Sequence, residues 1–213
     1  MLEIQKIRYH LGEPVRVCMA CARELKSPEE KTYGLCKCHQ ESLLRSPEKI
    51  TRHYGRGKEY QLLEHSDALD DIIYKLEFNE DIELGSIYIA DNKHPAEYLI
   101  YAHYIAGIFL SSLEKYIDLS EFDYITFADS NHVNMEIIFT EMGYLSKDKK
   151  VSELFLTDPI YDQFSDGNEI TGVQNKTILL LDLYRGIRTR RCIDRLRLSG
   201  AGEVTTVYLT SYS

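Results

Sequence analysis

A run of uncharged β-formers and leucines, Thr177-Ile-Leu-Leu-Leu181, closed by Asp182, places the strongest constraint on this chain. Residues of this kind in succession leave no polar side to show to water. The strand they predict is therefore buried on both faces and ends at Asp182, the situation of a parallel sheet flanked by helices. A short loop around Gly186 follows. Cys192, Ile193 and Leu196 then share one helical face with arginines elsewhere, Gly200 has the place of a left-handed C-cap, and Val204, Val207 and Leu209 begin a second strand. The tail from Asn175 to Ser213 is thus a strand, loop, helix, strand unit. Its crossover sets the loop at the carboxyl edge of the sheet, where open α/β folds bind ligands.

The middle of the chain repeats the theme. Leu69, Ile72, Ile73 and Leu76 recur at helical spacing after Ser66 as N-cap, and Ser86-Ile-Tyr-Ile-Ala90 reads as a strand. Pro95 opens a long helix to about Ile117 that is apolar on most faces, on which His103 reads as a hydrogen-bonded core residue. Asp123-Tyr-Ile-Thr-Phe-Ala-Asp129 is another buried strand ending in an acid. Turn residues Ser130 to Asn134 follow, then a helix through Ile137, Ile138, Phe139 and Met142 that Gly143 stops. Alternating strands and helices predict an α/β fold, a mainly parallel sheet with helices on both faces.

The cysteines belong to a different chemistry. Cys18-Met-Ala-Cys21 and Cys36-Lys-Cys38 are two close pairs of soft ligands divided by a hairpin-sized spacer, a pattern that fits a tetrahedral structural zinc site. His39 competes with Cys36 or Cys38 for the fourth position. Cys192, on the apolar helix face, reads as an inert core thiol. Beyond the pairs, Pro47, Gly55 and Gly57 with Arg52, Arg56 and Lys58 suggest an irregular basic connector. Residues 1–60 are read as a zinc-bearing head with its connector, and residues 61–213 as the α/β domain.

Composition limits the setting. With 44% hydrophobic and 28% charged residues among 213, the chain is expected to be soluble and globular. No signal peptide is evident, and the apolar stretch from Tyr98 to Leu113 is too short for a membrane span, so a cytoplasmic location is expected. The net charge of −9 divides unevenly, with residues 1–60 at +4 and the remainder at −13.

The tail, with Ser199-Gly-Ala-Gly-Glu-Val204 closing it, resembles the ribose-phosphate-binding unit of type I phosphoribosyltransferases. Cysteine pairs ahead of the core, the segment His65-Ser-Asp-Ala-Leu-Asp-Asp-Ile-Ile-Tyr-Lys75 and the stretch Gly167-Asn-Glu-Ile-Thr-Gly172 are similar to the ComF-like branch of that family. The resemblance implies a zinc knuckle and a cleft for phosphoribosyl pyrophosphate with Mg²⁺. In it Asp182 would hold ribose hydroxyls, and Asp129, Ser130, Asn131 and His132 would line the pyrophosphate end. Tyr184, Arg185, Gly186, Ile187, Arg188 and Thr189 would form the loop around the 5′-phosphate.

The departures are specific. Two adjacent acids usually end the family's strand, whereas Leu183 follows Asp182 here, and the loop is about two residues short. No Lys or Arg lies between Ala128 and Met142, and Asp158 to Glu169, the expected mobile hood, also lacks a cation. Transfer from a pyrophosphate relies on cations facing the developing charge. The leading expectation is a degenerate site that binds a nucleotide-like ligand or a protein partner, in DNA uptake or defence by family association. Two rivals stand beside it. One is a working transferase using Asp182, Arg185 and Arg188. The other is a nucleic-acid accessory protein using the six arginines between Arg185 and Arg197.

Overall fold

The computed structural model describes residues 23–27, 36–38, 52–54, 57–63, 65, 73, 96–128, 135–164 and 169–210. Among the described residues, five strands form one sheet: β1 Arg52–Tyr54, β2 Gly57–Gln61, β3 Tyr124–Phe127, β4 Thr177–Tyr184 and β5 Glu203–Thr210, in the order β1-β2-β5-β4-β3. β2, β5, β4 and β3 run parallel, and β1 is an antiparallel edge. The helices are α1 Ala96–Tyr116, α2 Met135–Leu145, α3 Lys149–Leu156 and α4 Ile187–Leu198. This is the expected α/β architecture with a mainly parallel sheet. Among the described residues, no helix is long and apolar enough to cross a membrane.

β4 is buried from Ile178 to Leu183, as its uncharged run requires. It does not end at Asp182. Pairing with β5 continues through Asp182 opposite Tyr208 to Tyr184 opposite Thr210, so the acid lies inside the strand. Successive β4 side chains then serve different cores. Leu179, Leu181 and Leu183 join the cluster made with α1, α2 and α3, while Ile178 and Leu180 join Cys192, Ile193 and Leu196 of α4 on the opposite face.

The end of α4 follows from Gly200. Its φ of 88° suits glycine, and the turn it makes lets Gly200 N–H reach the Arg197 carbonyl and Ala201 N–H the Leu196 carbonyl. This double bond pattern satisfies carbonyls a helix otherwise leaves open, and it aims the chain into β5.

On the other face, α1 buries Ala102, Ile105, Ala106, Ile108, Phe109, Leu110 and Leu113. His103 is tied to Glu141 of α2, Nδ1 to Oε2 at 2.7 Å, the hydrogen-bonded role expected of it. α2 runs past Gly143 to Leu145. The glycine is there for packing rather than termination, since a Cβ on it would lie 2.8 Å from Leu156 Cγ.

The start of the sheet lies where a connector is expected. Residues 52–54 and 57–61 are a β-hairpin whose second strand pairs with β5, Tyr60 opposite Val207. Leu25 and Cys36 are also buried in the core shared with α1. The helix expected from Ser66 is described only at Ile73, which is helical and buried. The strand expected at Ser86 to Ala90 lies outside the described residues.

Candidate functional site

Strand alternation turns Asp182 toward α4 and Leu183 away from it. Leu183 is 2% exposed in the opposite core, so the position where a second acid would stand cannot contribute to a site on the α4 face. Asp182 is itself buried and braced. Its Oδ2 accepts a hydrogen bond from the Thr189 hydroxyl, and the backbone N–H groups of Leu183 and Tyr184 also bond to the carboxylate. The Gly186 N–H in turn donates to Thr189 Oγ1 at 3.4 Å. Burial pushes the pKa of Asp182 up to about 6, against the opposing pull of those hydrogen bonds and of the Arg188 charge.

The turn itself is shorter than its sequence suggests. Tyr184 ends β4 and Ile187 begins α4, leaving Arg185 and Gly186 between them. Arg188 and Thr189 belong to the first helical turn. Gly186 is the N-cap and has no side chain to satisfy the first amides, so among the described residues no cap side chain opposes the positive end of the helix. Ile187 beside it is 69% exposed.

Arg185 and Arg188 take different roles. The Arg185 guanidinium is ion-paired with Glu59 of β2, Nη2 to Oε2 at 3.0 Å. Arg188 is half-buried, and among the described residues its Nη1 and the buried hydroxyl of Thr210 have no hydrogen-bond partner, while the Tyr208 hydroxyl lies against the Arg185 guanidinium. Tyr208 shares the Asp182 face across the β4–β5 ladder. Burial and the charge of Glu59 raise its hydroxyl pKa above the ordinary range, with Arg185 opposing. The turn therefore gathers polar groups of Arg188, Tyr208 and Thr210 beside a carboxylate already engaged, an arrangement suited to an anionic or hydroxyl-bearing guest.

Among the site residues expected from sequence, Asp182, Tyr184, Arg185, Gly186, Ile187, Arg188 and Thr189 come together here. Thr189 serves Asp182 as a brace. Asp129, Ser130, Asn131 and His132 lie outside the described residues. Glu59, Tyr208 and Thr210 are additions. Tyr208 was legible from the alternation of Val207 and Leu209, which sends it to the opposite face, whereas Glu59 was hidden in a stretch whose glycines and cations suggest a connector.

The expected mobile hood is fastened where it is described. Asp158 accepts hydrogen bonds from the Thr126 hydroxyl at 2.7 Å and the Ile160 N–H at 2.8 Å, and burial raises its pKa. The Arg195 guanidinium holds the carbonyls of Phe164 and Gln163. Of the six arginines between Arg185 and Arg197, Arg190, Arg191 and Arg197 are exposed. That is a smaller basic surface than the count implies.

For a metal, Cys36 is 2% exposed in the core and Cys38 is exposed. Cys18, Cys21 and His39 lie outside the described residues, and among those described no group of three or more His, Cys, Asp or Glu could hold an ion. Comparison with protein-family models and with curated proteins gives no match.

Proposed function

We propose that the chain is a ligand-binding relative of the ComF-like phosphoribosyltransferases that takes a phosphate-bearing, nucleotide-like molecule at the β4–α4 turn without transferring its ribose. One observation carries this reading. The acid that the resemblance assigns to ribose hydroxyls has Thr189 and two backbone amides already bonded to it, and Leu183 beside it is buried in the other core. Groups able to hold an anion are present nonetheless. They are Arg188 Nη1, without a partner among the described residues, and the start of α4, whose N-cap is a glycine.

Under this reading Arg188 and the first amides of α4 face the phosphate, and the Tyr208 and Thr210 hydroxyls bond to the sugar. The quartet Cys18, Cys21, Cys36 and Cys38 would hold a structural zinc ion, with His39 as the rival fourth ligand. Mg²⁺ would enter only with a pyrophosphate group.

Calorimetric titration with phosphoribosyl pyrophosphate and with nucleoside monophosphates, with and without Mg²⁺, tests the reading when paired with an assay for released pyrophosphate. Binding that Arg188→Met removes, with no pyrophosphate formed in the presence of any common base, is the expected result. Release of pyrophosphate establishes a transferase instead. Absence of heat with every phosphate ligand refutes the site.

A further inference from the structure

Ile187 and Leu198 are the large apolar side chains left open to solvent among the described residues, 69% and 85% exposed. Both belong to α4, one at each end. An eleven-residue separation brings a helix back to within about 20° of its starting direction and advances it by roughly 16 Å, so the two side chains stand on one line. Arg191 and Asp194, also exposed, lie between them on that line. Thr189, Cys192, Ile193 and Leu196 fill the buried side of the same helix.

This line is its own complement. If a second α4 is turned end for end about an axis passing midway between Cys192 and Ile193, Ile187 comes opposite Leu198 of the second copy and Arg191 comes opposite its Asp194. Both pairings then recur with the copies exchanged. We propose that the exposed stripe of α4 is the contact of a two-fold symmetric dimer, with two copies of the helix packed antiparallel. The apolar ends close the contact and the two Arg191–Asp194 pairs fix its register.

The choice of a second copy over an acidic partner or a nucleic acid rests on Asp194, the single acid of this helix. Set against carboxylates or phosphates it would repel them, whereas in the symmetric contact it meets a guanidinium. The opposing term lies on the flank. Arg190 and Arg197 fall beside the stripe, and the antiparallel arrangement brings them toward their counterparts. These groups stay hydrated and are screened over about 8 Å at physiological ionic strength, while the inner pairs, held between helices, are screened less. Added salt should therefore tighten the association. A lone helix pair is a small contact, so the dimer is reversible and concentration-dependent. The proposal needs no ligand at the β4–α4 turn, which Ile187 borders.

Sedimentation velocity over a concentration series of the full chain, at low and raised NaCl, reads the equilibrium directly. The expected result is a monomer–dimer equilibrium that shifts toward dimer with salt and is lost in Leu198→Glu. Arg191→Asp and Asp194→Arg should each weaken association by about tenfold or more, equivalent to ~1.4 kcal/mol, and their combination should restore it. Circular dichroism confirms that each variant is folded. A wild type that stays monomeric, a dimer indifferent to Leu198→Glu, or charge reversals whose combination fails to restore association overturns the proposal.

Discussion

Thr189 donates its hydroxyl hydrogen to Asp182 across the turn between β4 and α4, joining the interior of β4 to the first turn of the helix that covers it. Both side chains are buried, at 0% and 8% exposure, so neither can exchange its partner for water. Thr189→Val keeps the shape and deletes the donor. It should lower the unfolding free energy by about 1–3 kcal/mol, because the carboxylate loses a bond that burial prevents water from replacing. Thr189→Ser should lose much less, and urea denaturation of the pair separates the hydroxyl from the methyl group.

Asp182 should also leave a mark on the pH dependence of stability. Its folded pKa of about 6 lies above the ordinary 3.8, so between these values the native chain holds a proton that the unfolded chain releases. The contribution is fully present below 3.8 and is lost as the pH rises through about 6. A shift of this size corresponds to about 3 kcal/mol. Asp182→Asn should remove that slope and be at least as stable at neutral pH. Burial of Asp158 adds a slope of the same sign, so the measurement is the difference between wild-type and variant curves, and parallel curves would count against the assignment.

Two helical glycines should respond in opposite directions to alanine. At Gly143 a Cβ would stand 2.8 Å from Leu156 Cγ and 3.0 Å from Phe155 Cβ, so Gly143→Ala forces α2 and α3 apart. The overpacking should cost about 1–3 kcal/mol, more than the gain in helix propensity of about 1 kcal/mol. At Gly107, within α1, the nearest such contact is an ordinary 3.9 Å to Leu145 Cδ1. Gly107→Ala should stabilise by about 0.5–1 kcal/mol. Thermal melts of both variants give the two signs.

Arg195 should govern a local opening. Its guanidinium holds the carbonyls of Gln163 and Phe164 against α4, and the charge makes such bonds worth about 1.5–3 kcal/mol when shielded. Arg195 is only partly buried, which places the expected loss near the lower end. Arg195→Met should raise amide hydrogen exchange in residues 160–164 while β4 and β5 keep their protection. Uniform loss of protection would mean that the contact supports the whole domain.

The tail was legible because its signals are local. An uncharged run fixes burial on both faces, and a glycine at the end of an amphipathic helix fixes the stop, so β4, α4 and β5 follow from Thr177 to Leu181, Cys192 to Leu196 and Gly200. Strand alternation likewise places Asp182 and Leu183 on opposite faces. The hairpin of β1 and β2 was not legible in the same way, since Gly57-Lys-Glu-Tyr-Gln61 has little apolar pattern. Its place comes from hydrogen bonds to β5 and from the pairing of Glu59 with Arg185, partners more than a hundred residues away. Gly143 misled for a related reason. Only the arrival of Phe155 and Leu156 makes it a contact point instead of a terminator.

β5 occupies the middle of the sheet, hydrogen-bonded to β2 on one side and β4 on the other. During synthesis the earlier strands leave the ribosome with this gap unfilled. The β1–β2 hairpin and the β3–β4 pair stay unconnected through the sheet until residues 203–210 emerge and insert between them. Contacts this distant along the chain slow folding, and the nascent chain meanwhile exposes two open strand edges, the kind of surface that chaperones cover. A stop shortly before Glu203 would therefore remove the seam that joins both halves of the sheet.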